Sequence, residues 1–331
     1  MSRPTIEQVA AAAGVSRSTV SRVVNGSTAV SPEALDAVQK AIARLGYVPN
    51  RAARTLASRQ THAIALVVPE DTGRFFGDPF FADIVAGITT RIRASDYILN
   101  LLIASDDPGD KMTSFVRNGG VDAAIIVSHH TSDSFVDRIA DAVPVVFGGR
   151  PARERPGDFI VDVDNLQGGR SAGEHLVARG HRRMASITGR LSMPAAVDRL
   201  QGFRDALAVA GLEPPAEFDG DFTEEGAAAA ARAVLALEPR PDAVFAASDL
   251  MARGAIGVFR AAGLRVPEDI AVMGFDDSGV AVTTDPPLTT VRQPIRRMGE
   301  AMAAVLIETL RGGRAPRRSI LPTEVVVRAS A

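Results

Sequence analysis

From Ala63 onward the chain alternates short unbroken apolar runs with longer stretches in which apolar residues recur every three or four positions. AIALVV (63–68), YILNLLIA (97–104), VDAAIIVS (121–128) and VPVVFGG (143–149) read as strands, and FADIVAGITTRIRAS (81–95) reads as an amphipathic helix. Continuous rather than alternating hydrophobicity is what a parallel sheet covered on both faces requires. FIVDVD (159–164) is expected to start a second series. It continues with a helix over 165–179, RMASITG (183–189), a helix over 197–210, DAVFAA (242–247), a helix over 250–262, IAVMGF (270–275) and a last strand-like run, TEVVVRAS. Two successive α/β lobes are expected.

The first sixty residues follow another pattern. Thr5 and Gln8 form a capping box at the start of a helix with Ile6, Val9 and Ala10 on its apolar face. Gly14 permits a tight turn, Val15 fills it, and Ser16 can cap a second helix, 17–24, that exposes Arg17, Ser18 and Arg22. Ser31 and Pro32 open a third helix with Leu35, Val38, Ile42 and Leu45 at helical spacing and Gly46 as its stop. This is a helix-turn-helix whose polar second helix is free to enter a major groove, where arginine can bind guanine in bidentate fashion.

Charge sharpens that picture. Residues 1–60 hold eight Lys or Arg against three acids (Glu7, Glu33, Asp36), a net of +5, whereas the whole chain carries −2, leaving −7 for the rest. A basic head on an acidic body suits nucleic acid at one end and a different partner at the other. About 270 residues beyond the head suit two lobes of ordinary size. Cysteine and tryptophan are absent, so disulfide, thiolate and cysteine–zinc chemistry are excluded. An apolar leader and any run near eighteen apolar residues are lacking, which predicts a cytoplasmic chain outside the membrane. Only Lys40 and Lys111 are lysines among the 37 basic residues, so surface arginines carry little functional weight by themselves.

VSRSTVSRVVNG followed by GYVPNRAARTLAS resembles the DNA-binding head and hinge of the lactose/galactose repressor family of bacterial transcription regulators, with later landmarks in DAVFAASDLMARGA, VMGFDD and PPLTTVRQP. The resemblance implies an α/β architecture: a helix-turn-helix head over 1–49, a hinge helix and linker over 50–60, and a two-lobed core over 61–331 similar to periplasmic sugar-binding proteins, with parallel sheets. Lobe 1 would span about 61–162 and 292–321, lobe 2 about 163–291 and 322–331. In the head, Arg17, Ser18 and Arg22 match residues that read base edges, Thr19 and Ser21 are candidates for backbone contacts, and Asn25 matches a phosphate-side position. In the hinge, beginning at Asn50, Leu56 would wedge into the minor groove with Ala53 and Ala57 small enough to approach it. The segment 50–58 lacks Gly and Pro, yet its nine residues fall short of the ~12–15 at which an isolated helix is even marginal. It is expected to fray alone and to become helical when two copies meet on DNA.

Ligands in open α/β sheets sit beyond the carboxyl ends of the strands. That rule selects Phe80, Phe81, Arg150, Arg199, Ser248, Asp249, Asp276 and, at a lobe crossing, Gln293. Arg199 and Asp276 match the family's principal ligand-contacting positions; Ser248 stands where many members have Asn, and Gly149 offers no side chain where some sugar responders carry an acid. GRSAG (169–173) has the form of a nucleophile elbow, but its Ser171 falls inside the helix expected over 165–179, so no catalysis is expected. Neither phosphate-binding fingerprint occurs, and the adjacent His129 and His130 do not make a metal pair; no cofactor is called for. The expected protein is a homodimeric repressor of carbohydrate-uptake or catabolism genes that binds a palindromic double-stranded operator and is released by a sugar. A purine effector or a corepressor is the alternative, and a sugar-binding transport protein a more distant one.

Overall fold

Val9, Val20 and Val38, one from each of three short helices, are fully buried in a single small cluster. The computed structural model describes residues 4–24, 29–47 and 60–331, divided into a unit ending at Thr61 and another beginning at His62. In the first unit, α1 (Ile6–Ala13) starts with the Thr5–Gln8 capping box, and Gly14 ends it at φ 66°. Ser16 Oγ accepts the Thr19 N–H at 3.1 Å at the head of α2 (Arg17–Val24). Ser31 caps α3 (Pro32–Leu45), and Gly46 ends it at φ 61°. Leu35 departs from the expected apolar face of α3: it is 40% exposed, because the bundle reaches the helix only from Val38 onward. The expectations for Asn25, Asn50, Ala53, Leu56, Ala57 and the hinge helix fall outside the described residues.

The second unit opens with β1 (Ala63–Val68), α4 (Thr72–Gly77), α5 (Pro79–Ile92), β2 (Ile98–Ile103), α6 (Lys111–Phe115), β3 (Ala123–Val127), α7 (Ser134–Ala140), β4 (Val145–Gly148) and β5 (Phe159–Val163). There follow α8 (Asn165–Ala178), β6 (Met184–Thr188), α9 (Pro194–Val209), β7 (Ala216–Asp219), α10 (Glu224–Leu235), β8 (Ala243–Ala246), α11 (Asp249–Ala261), β9 (Ala271–Asp276), α12 (Gly279–Thr283) and β10 (Thr289–Arg292). The chain closes with α13 (Ile295–Leu310), β11 (Arg318–Leu321) and β12 (Glu324–Val326). Two six-stranded sheets result, ordered β11-β5-β4-β3-β1-β2 and β12-β10-β9-β8-β6-β7. Every pairing is parallel except that of β12 with β10. In each sheet the strand order reverses beside its first strand, the topology that opens a crevice at the carboxyl ends.

One expectation needs correction. FIVDVD does not start the second series: β5 pairs with β4 and with β11 in the first sheet, and its Ile160, Val161 and Val163 are buried in that lobe's core. The second series starts at α8, whose N-cap Asp164 accepts the Gln167 N–H. The chain then passes between lobes after β5, between β10 and α13, and between β11 and β12.

Two helices of the second lobe approach unusually closely. A Cβ at Gly169 of α8 would overlap the Arg199 carbonyl of α9, and one at Gly202 would overlap the Leu166 carbonyl. The GRSAG motif therefore belongs to helix packing. Ser171 lies within α8, where its Oγ accepts from Gln167 Nε2 at 3.2 Å.

Candidate functional site

In the head, α2 exposes Arg17, Ser18 and Arg22, while Thr19 and Ser21 are half-buried. Arg17 Nε lies 3.3 Å from Glu7 Oε1, with both side chains mostly exposed. Glu7 is held below the usual carboxylate range, first by its own backbone N–H and then by Thr5 and Arg17. An exposed pair of this kind is readily exchanged for a base or phosphate. Ser16 Oγ also lies 2.7 Å from Ser18 Oγ and 2.9 Å from Thr19 Oγ1, so the first turn of α2 forms a hydroxyl cluster. Arg44 Nη2 donates to the Ala12 carbonyl at 3.3 Å and ties α3 to α1.

In the second unit a cavity lies at the carboxyl ends of both sheets, with about 590 Å³ of empty space when the part open to solvent is included. Of the residues selected from sequence, Phe80, Arg199, Ser248, Asp276 and Gln293 line it. Arg199 is its buried anchor: Nε donates to Asn165 Oδ1 at 2.9 Å and Nη1 to the Ala247 carbonyl at 2.7 Å. The guanidinium stacks 3.7 Å over the Phe275 ring, and its Nη1 lies 3.8 Å from Asp276 Oδ1. Burial pulls Arg199 below the usual guanidinium range, and Asp276 is the largest opposing influence. Asp276 Oδ1 also accepts from Gln293 Nε2 at 2.6 Å. Burial pushes the Asp276 carboxyl well above the usual range; Arg199 opposes the shift, while Asp249 and Asp78 add to it.

Three selected residues stand elsewhere. Phe81 is 1% exposed and packs in the core of the first lobe against Phe75; successive helical residues diverge, so only Phe80 of the pair reaches the cavity. Arg150 turns its side chain to Asp198 of the other lobe, 2.8 Å away, and contributes a backbone N–H to Asp162 Oδ2. Asp249 is fully buried behind the wall, where Oδ1 accepts from Thr290 Oγ1 at 2.5 Å and Oδ2 from the Ser278 N–H at 2.8 Å. It joins α11 to β10 and the loop after β9, and burial pushes it up to about 7.

The cavity also contains residues that the sequence reading does not name. Asp162, pushed up to about 6 by burial, accepts from the Val163 N–H and Asn165 Nδ2 as well as from Arg150. Phe222 follows β7 and faces Arg74, whose guanidinium lies 5.3 Å from the ring centroid. Asp78 caps α5 through the Phe80 N–H at 2.9 Å, and burial raises its carboxyl. Asp162, near the end of β5, and Asn165, at the start of the helix that follows it, could have been found by the same strand-end rule. Phe222 follows an edge strand with no apolar run to mark it.

Along one wall, a polar cluster that includes the lining residues Arg74 and Ser128 joins the lobes. Glu70 Oε1 accepts from Ser128 Oγ at 2.6 Å and lies 3.2 Å from both Arg74 Nε and His130 Nε2. His130 Nδ1 is 2.8 Å from Ser192 Oγ, and Arg74 Nη1 donates to the Asp221 carbonyl at 2.8 Å. His129 turns away, with Nε2 3.0 Å from the Arg150 carbonyl, and burial pushes it down to about 4. Ser128, Phe222 and Asp276, all on the cavity wall, have φ of 58°, 52° and 122°. Such backbone strain clusters at ligand clamps.

Residues 5–50 match the family model described as bacterial regulatory proteins, lacI family, and residues 174–331 match that of a periplasmic binding protein-like domain. The chain is 46% identical over 337 residues to the HTH-type transcriptional regulator CelR of Thermobifida fusca, covering 99% of this chain and 98% of that protein. A solved CelR–cellobiose complex resembles it with a TM-score of 0.78 at 43% identity, over 99% of this chain and 100% of the other. The lac repressor dimer bound to operator and the anti-inducer ONPF resembles it with a TM-score of 0.85 at 30% identity, over 99% of each chain.

Proposed function

This chain belongs to the lacI family of bacterial regulatory proteins, a family of DNA-binding transcription regulators, and we propose that it is a homodimeric repressor released from a palindromic operator by a sugar, with a β-linked glucose disaccharide as the first candidate. The observation that carries this reading is the Arg199–Asp276 pair, 3.8 Å apart on the wall of a cavity that also presents Phe80 and Phe222. A guanidinium beside a carboxylate offers a donor and an acceptor to neighbouring sugar hydroxyls, and aromatic rings cover the apolar face of a pyranose. The likeness to CelR, solved with cellobiose, supports the choice of disaccharide.

Arg17, Ser18 and Arg22 would read bases and Thr19 and Ser21 would set the backbone register, each head covering one half-site. Arg199, Asp276, Ser248, Gln293 and Phe80 would hold the effector. The sugar must bind two arrangements of the lobes unequally to change operator affinity, and coupling of ~1–3 kcal/mol gives a several-fold to hundredfold effect. Such a protein works where the DNA is, in the cytoplasm, and performs no catalysis. Among the described residues no helix is long and apolar enough to cross a membrane.

The test is an operator mobility-shift titration of the full chain with cellobiose, other disaccharides, monosaccharides and purines. Release by a disaccharide supports the reading. Release or recruitment by a purine alone overturns the sugar assignment and leaves the regulator in place.

A further inference from the structure

We propose that Asp78 makes the cleft a charge filter: its occupant is an uncharged or amino-bearing glycoside that donates a hydrogen bond to the free Asp78 oxygen, and phosphorylated or carboxylated sugars are excluded. This rests on the sugar reading of the same cavity and adds the chemical class of sugar.

The cavity wall holds three carboxyls, Asp78, Asp162 and Asp276. Asp162 is satisfied by protein donors at both oxygens. Asp78 and Asp276 are not: the Phe80 N–H occupies Asp78 Oδ1 and Gln293 Nε2 occupies Asp276 Oδ1, while their second oxygens have no hydrogen-bond partner among the described residues. The two acceptors come from opposite lobes, Asp78 from the junction of α4 and α5 and Asp276 from the end of β9. A ligand bridging the lobes must bring donors to both.

Two guanidiniums line the cavity, and each is engaged. Arg74 is matched by Glu70 at 3.2 Å and donates to the Asp221 carbonyl. Arg199 spends two donors on Asn165 and Ala247 and faces Asp276. The nearby Arg150 is paired with Asp198. The N-terminus of α9, at the wall, has no side-chain cap, but a helix end offers only about half a positive charge. Anion sites need unengaged arginines or converging N–H groups; at the start of α9 Pro194 has no N–H, and the Ala196 and Val197 N–H groups already donate to the Met193 carbonyl. Burial raises both carboxyls, and neighbouring acids crowd them further, Glu70 beside Asp78 and both Asp249 and Asp78 beside Asp276, so an entering anion adds a negative charge where negative charge is already disfavoured. A neutral hydroxyl or an ammonium relieves the same crowding.

Isothermal titration calorimetry on the full chain, with cellobiose, cellobiose 6′-phosphate, cellobionate and cellobiosamine as probes, tests the filter. The neutral and amino forms are expected to bind about 100-fold tighter than either anion, the size of a like-charge juxtaposition in a closed site. Asp78→Asn should narrow that ratio by about tenfold. Asp78→Ser keeps a capping oxygen for α5, so the same narrowing there separates charge from misfolding. An anion that binds within a few-fold of cellobiose overturns the filter while leaving the sugar reading standing, and an unchanged ratio in both variants removes Asp78 from it. No heat with any sugar, together with binding of a purine, overturns both readings.

Discussion

Arg150 and Asp198 meet across the edge of the cleft, Nη2 to Oδ1 at 2.8 Å, one from each lobe. The pair is partly solvated, so its contribution to closure is ~0–1 kcal/mol. Arg150→Ala should weaken effector binding by up to about fivefold, and Asp198→Ala should add nothing to it in a double-mutant cycle. A hundredfold loss with Arg150→Ala alone would show that Arg150 touches the ligand.

Arg199→Ala removes the guanidinium that faces Asp276 at the centre of the wall and leaves Asn165 Oδ1 and the Ala247 carbonyl without that donor. Breaking a buried pair in this way costs ~3–5 kcal/mol. The second unit should melt at lower temperature and effector response should vanish, with operator affinity retained. Denaturant unfolding together with mobility shift reads both effects.

Gly169→Ala places a methyl against the Arg199 backbone. Forcing α8 and α9 apart should destabilise the core by ~1–3 kcal/mol and weaken effector binding, because Asn165 and Arg199 lie on the two separated helices. Equal effector affinity in the variant would show that the helix contact does not position Arg199.

Asp162, raised to about 6 by burial, makes stability depend on pH with a definite sign. The folded chain holds this proton more tightly than the unfolded chain, so the contribution is greatest at low pH and is lost as pH rises from ~4 to about 6. Asp162→Asn has no such proton. Its destabilisation relative to the parent should be largest near pH 4 and shrink toward pH 7, as followed by thermal unfolding, where each kcal/mol moves the midpoint by ~2–4 °C. Comparing the two proteins cancels His129, whose burial acts in the opposite direction.

Arg22 is exposed on α2 with its side chain available to DNA. Arg22→Ala should weaken binding to the preferred operator by ~1–3 kcal/mol while leaving effector binding unchanged. A uniform loss over all sequences, seen in competition mobility shifts, would identify a phosphate contact.

The sequence by itself determined most of the elements and their kind. Caps at Thr5, Ser16 and Ser31 and stops at Gly14 and Gly46 are local chemistry, so the limits of these three helices were legible. Runs such as AIALVV and DAVFAA announce buried parallel strands because both faces must be apolar. The strand-end rule and the family resemblance together also reached Arg199, Ser248, Asp276 and Gln293 on the cavity wall. β7 was illegible because it is an edge strand whose burial alternates, and with it Phe222 was lost.

Tertiary structure alone decided which residues face one another. Phe80 and Phe81 are identical in kind and adjacent, yet only the first reaches the cavity, since helix rotation separates them. Asp249 and Asp276 both follow strands, but Thr290 and Ser278 claim the first. The pairing of Arg150 with Asp198, and of Glu70 with Arg74, His130 and Ser128, joins positions up to sixty residues apart. Capping and periodicity are set by neighbours within a turn; which buried carboxyl keeps a free oxygen depends on donors that only the closed fold brings to it.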